Sequence, residues 1–124
     1  MRRTNSVGGY RVYPGSPAQS DIAERDNNFI GIFQDGMDRL NQSRTLTQRE
    51  MQIIERLDPN SQIAIDYLNL KRRTNALWEL ALNNQREVDT FTHQEIYSLG
   101  HLGEGLINCA NSWINFKNRL ENFQ

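Results

Sequence analysis

A chain of 124 residues with a net charge of −1 and a pI near 6.1 is the size of one domain, and it lacks the basic balance that nucleic acid selects. Its one cysteine, Cys109, excludes an internal disulfide, and no run approaches the ~18 apolar residues of a membrane span.

Charge is uneven along the chain. Residues 1–15, MRRTNSVGGYRVYPG, hold Arg2, Arg3 and Arg11 and no acid, so they carry +3 and the remainder −4. Gly8-Gly9 and Pro14-Gly15 punctuate this stretch, and it has no helical period. It reads as an arm, flexible or held by a partner, with Arg2, Arg3, Tyr10, Arg11 and Tyr13 as its candidate contact residues. Its two leading arginines are followed by no apolar run, so no secretory signal is expected. The expected location is cytoplasmic or within an assembled particle.

Residues 16–124 read as a single all-α domain: a small bundle of three to four helices with a long C-terminal antiparallel hairpin. Ser16-Pro17 opens the first helix, since serine can cap and proline suits the first helical position. Ile22, Phe29, Ile30, Phe33, Met37 and Leu40 mark its apolar face, and it should end near Asn41–Ser43. Gly31 and Gly36 each weaken it by up to ~1 kcal/mol relative to alanine where exposed.

The next helix starts at TLTQREMQIIERL. Thr47 can cap while Glu50 reaches back to it, and Leu46 and Met51 stand at staple positions. Asp58-Pro59 ends it and should cap a third helix running near 59–89. Ile63, Tyr67, Leu70, Thr74, Leu77, Ala81, Asn84, Val88 and Phe91 form its seam, stepping by four and three, with Trp78 and Leu82 widening it. Thr92 and Glu95, with Phe91 and Ile96, repeat the capping device 45 positions on. The last helix, near 93–122, carries Leu99, Leu102, Leu106, Cys109, Trp113, Phe116, Leu120 and Phe123. Gly100, Gly103 and Gly105 either break its first turns or let another helix approach closely. Almost no loop should separate the two long helices, and Leu77, Trp78, Leu106, Trp113 and Phe116 should lie near the core.

No residue set argues for catalysis, and no cofactor or metal is expected. His93 and His101 stand eight apart, about 12 Å along a helix, too far to share one zinc ion. Cys109 lies on the apolar stripe, where a thiol is a small hydrophobe. Two features remain as candidate interaction sites. Lys71, Arg72 and Arg73 form the one internal basic cluster. Asn108, Asn111, Asn115, Asn118 and Asn122 follow the stripe by two residues each, about 200° around the helix. Asparagine is a poor helix former, so a row of five is unusual for an outer face.

LTQREMQIIERL, residues 46–57, resembles the opening of the helix-turn-helix domain of LuxR-type regulators, where LTxRE is common. The resemblance implies a small DNA-binding regulator. It covers about 12 residues, and DPNSQIAIDYLNLKRR then leads into a long amphipathic helix instead of a turn and recognition helix. The leading expectation is a non-catalytic structural or protein-interaction subunit of a larger assembly, of the secretion-apparatus or virus-particle type. Its partners would be proteins, copies of itself included, rather than nucleic acid. A translocated effector or small inhibitor is the alternative, suggested by two lysines against twelve arginines and by the loose N-terminus.

Overall fold

A computed structural model describes the backbone of residues 16–123 and the side chains of residues 25–123. It is all-α: α1 (Ser16–Ser43), α2 (Gln48–Glu55), α3 (Gln62–Asn83) and α4 (His93–Asn122), with a 3-10 turn at Val88–Thr90. Both expected capping boxes are formed. Thr47 Oγ1 accepts from the Glu50 N–H at 3.1 Å, and the Glu50 carboxylate accepts from the Thr47 N–H at 2.8 Å. Thr92 and Glu95 make the same pair at 3.1 and 2.9 Å. The α2 staple is half formed: Leu46 packs on the core, while Met51 stays exposed.

The third helix is shorter than its seam suggests. Asp58 does not cap it. The Asp58 carboxylate accepts from the Asn60 N–H at 3.0 Å, and its carbonyl accepts from the Ser61 N–H at 2.9 Å. This turn passes the capping role to Ser61, whose hydroxyl accepts from the Ala64 N–H. At the other end the Asn84 amide donates to the Leu80 carbonyl at 2.7 Å and the helix stops. Residues 84–92 form a real connection, and Val88, assigned to the seam by spacing, is exposed, as is Leu82.

Contacts give the helix directions. On α4, His93 meets Asp26, Tyr97 meets Phe29, and Lys117 meets Thr45 just beyond α1. Numbers rise together, so α1 and α4 run parallel. Thr74 meets Cys109 and Trp113, Tyr67 meets Phe116, and Asp66 meets Arg119. Here numbers rise on one helix and fall on the other, so α3 and α4 form the antiparallel hairpin. α2 lies against α4. The most extensive packing of α4 is nevertheless with α1.

Glycine permits that closeness. A Cβ on Gly103 would stand 2.6 Å from the Ile32 carbonyl and the Phe33 nitrogen; one on Gly36 would stand 2.6 Å from the Gly103 carbonyl. Gly100 receives the Phe29 ring in the same way. The glycines therefore do not break α4, which is continuous from His93 to Asn122. One apolar core follows, with Leu40, Leu106, Cys109 and Leu120 fully enclosed and Phe33, Ile53, Leu70, Trp113 and Phe116 around them. Leu77 and Trp78 are partly buried at its edge. Among the described residues no helix is long and apolar enough to cross a membrane.

Candidate functional site

Burying one stripe of α4 fixes what its opposite side presents. Leu106, Cys109, Trp113, Phe116 and Leu120 point into the core, so Asn108, Asn111, Asn115, Asn118 and Asn122 face outward, and all five are exposed. None of their side-chain amides makes a hydrogen bond within the described residues. Each amide thus keeps one acceptor and two donor positions for water or for a partner.

The basic cluster does not act as a unit. Consecutive helical residues diverge by about 100°. Lys71 Nζ stands 5.5 Å over the Tyr67 ring, Arg72 reaches the Asn69 amide oxygen at 3.4 Å, and Arg73 donates to Ser112 Oγ at 3.3 Å. Arg73 alone meets the asparagine row. It shares with Asn115 a groove of about 320 Å³ between α3 and α4, floored by Leu70 and Phe116. Arg119 closes one end by donating to Asp66 at 2.9 Å. Hydrogen bonds from Gln62 and then Arg119 hold the Asp66 carboxyl below the usual aspartate range. The groove offers a guanidinium and amides over an apolar floor, which suits hydrogen-bonding and acidic groups of a partner surface.

Arg2, Arg3, Tyr10, Arg11 and Tyr13 lie outside the described residues. His93 Nδ1 lies 2.6 Å from the Asp26 carboxylate, tying α4 to α1, and His101 packs edge-on against Tyr97. Glu95 is engaged by the Thr92 N–H and by Arg86, in that order of effect, and both hold its carboxyl below the usual glutamate range. Among the described residues no three His, Cys, Asp or Glu side chains are grouped to hold a metal ion.

Cys109 belongs to a buried polar knot. The Thr74 hydroxyl gives its one proton to the Leu70 carbonyl at 2.6 Å. Its lone pairs take the Trp113 indole N–H at 2.7 Å and the Cys109 thiol at 3.3 Å. Every polar group of the knot is thereby paired, as burial requires.

Sequence spacing missed one surface. Ile65, Leu68 and Leu80 on α3 are exposed at 42, 53 and 51%, on the side away from α4. The signal was present in their offset from the seam, two residues after Ile63, two before Leu70 and one before Ala81, which turns each of them away from the buried stripe. A second groove, about 240 Å³, lies between Arg25, Asp26, Phe29, His93 and Tyr97.

The chain matches no family model, no curated protein and no solved structure.

Proposed function

We propose that the chain is a non-catalytic subunit that works by assembly, a structural or interaction component of a larger particle of the secretion-apparatus or virus type. The observation that carries this reading is the row from Asn108 to Asn122: five exposed amides with no partner inside the described chain. Asparagine lowers helix stability by up to about 0.7 kcal/mol per site relative to alanine, so the row is unfavourable for α4 taken alone. Five such residues on one face are accounted for by an outside partner that pairs with them. Paired amides also give register, because each donor must meet an acceptor. The adjoining groove with Arg73, Asn115 and Arg119 extends the same face toward α3.

The test is affinity capture from the native cell followed by mass spectrometry. The wild-type chain should retain a partner in simple stoichiometry. The triple variant Asn111→Lys, Asn115→Lys, Asn118→Lys should lose it while keeping its far-UV circular dichroism and melting temperature, since the three sites are exposed. Equal retention by the variant, or no stoichiometric partner for either protein, would count against the reading.

A further inference from the structure

We propose that the outer face of α3 pairs with the same face of a second copy, antiparallel and about a two-fold axis midway between Asn75 and Ala76. The face carries Ile65, Leu68, Arg72, Ala76, Glu79 and Leu80, all exposed. Ile65, Leu68, Arg72, Ala76 and Glu79 step by three and four, and Leu80 stands four beyond Ala76, so all six share one side of the helix. The buried seam of α3, Ile63, Leu70, Thr74 and Ala81, lies on the other side.

Charge selects the occupant. Arg86, Arg119 and Arg39 each have an acidic partner within the chain. Arg72 and Glu79 have none among the described residues; Arg72 touches only the Asn69 amide, at 3.4 Å. They stand seven residues apart, about 10 Å along the helix, too far to pair with each other. An antiparallel two-fold relation through the proposed point sets Arg72 level with the partner's Glu79, and Glu79 level with the partner's Arg72. The same operation brings Leu68 within three residues of the partner's Leu80. Alanine at position 76 lets the two helices approach at the axis. The face is thus complementary to itself in charge, as an isologous interface requires.

This pairing rests on the assembly reading, but it uses α3, whereas that reading is carried by the asparagine row of α4. Failure of one is therefore visible separately from failure of the other. Sedimentation velocity of the full chain, run up to about 1 mM because a contact this small belongs to the weak class, should show mass moving from 14.4 kDa toward twice that value. Arg72→Glu and Glu79→Arg, each alone, should weaken dimerisation at least about tenfold, because like charges then face each other twice. The double variant Arg72→Glu, Glu79→Arg should restore it, and Leu68→Glu should abolish it. All four should keep the wild-type melting temperature. A monomer throughout the range overturns the proposal. So does a dimer indifferent to Leu68→Glu, or a charge-swapped variant that stays as weak as the single ones.

Discussion

Gly103 occupies a position where the backbone of Ile32 and Phe33 stands in place of a side chain. Gly103→Ala should destabilise the fold by about 1–3 kcal/mol, because backbone cannot move aside as a flexible side chain would. Gly31 is the control on α1: nothing lies within 4 Å of its added Cβ. Gly31→Ala should stabilise by up to about 1 kcal/mol through helix propensity alone. Urea unfolding of the two variants reads both signs, and a stable Gly103→Ala would disprove the close crossing of α1 and α4. Thr74 makes a second residue-scale prediction. Thr74→Val keeps the volume but strands the Trp113 indole N–H, at a cost of about 1–3 kcal/mol. The same unfolding assay checks it, and a neutral result would mean that the knot is not what pairs the indole.

At the scale of the elements, the caps are the firmest devices. Thr92→Ala should cost about 1 kcal/mol and fray the start of α4, visible as faster amide exchange over residues 93–96. The same site predicts the acid limb of stability. Folding depresses the Glu95 carboxyl below the ordinary value of 4.5, and that of Asp66 below 3.8. A depressed carboxylate contributes stability that is present above its unfolded value and is lost as pH falls through its folded value. Thermal unfolding between about pH 5 and 2 should show this loss, and Glu95→Gln with Asp66→Asn should flatten it; an unchanged slope would contradict the assignment. Both caps could be read from sequence because a capping box is local, complete within four residues. The start of α3 could not. Asp58-Pro59 has the right residue types for a helix start, but Asp58 spends its carboxylate on the Asn60 N–H and leaves the cap to Ser61. The seam likewise ran past Asn84 because Val88 and Phe91 keep its spacing across a 3-10 turn that spacing does not reveal.

The whole molecule is where local reading gives out. The buried stripe of α4 was visible residue by residue, from Leu99 to Leu120, because one helix periodicity defines it. That α1 would run parallel beside it, through Gly36 and Gly103, depends on contacts some 70 residues apart that no local pattern encodes. Of the candidate site, the asparagine row was legible because it is the complement of that stripe. The basic cluster was legible as composition, but its division among Tyr67, Asn69 and Ser112 needed the packed helices. On the proposed function, the exposed faces of α3 and α4 are covered by partners in the assembled particle. Sizing the tagged chain in extract of its native cell, by size exclusion with light scattering, tests that most directly. The chain should elute in a particle well above 14.4 kDa, and Asn111→Lys, Asn115→Lys and Asn118→Lys combined with Leu68→Glu should return it toward that mass. A wild-type chain that elutes at 14.4 kDa would contradict assembly.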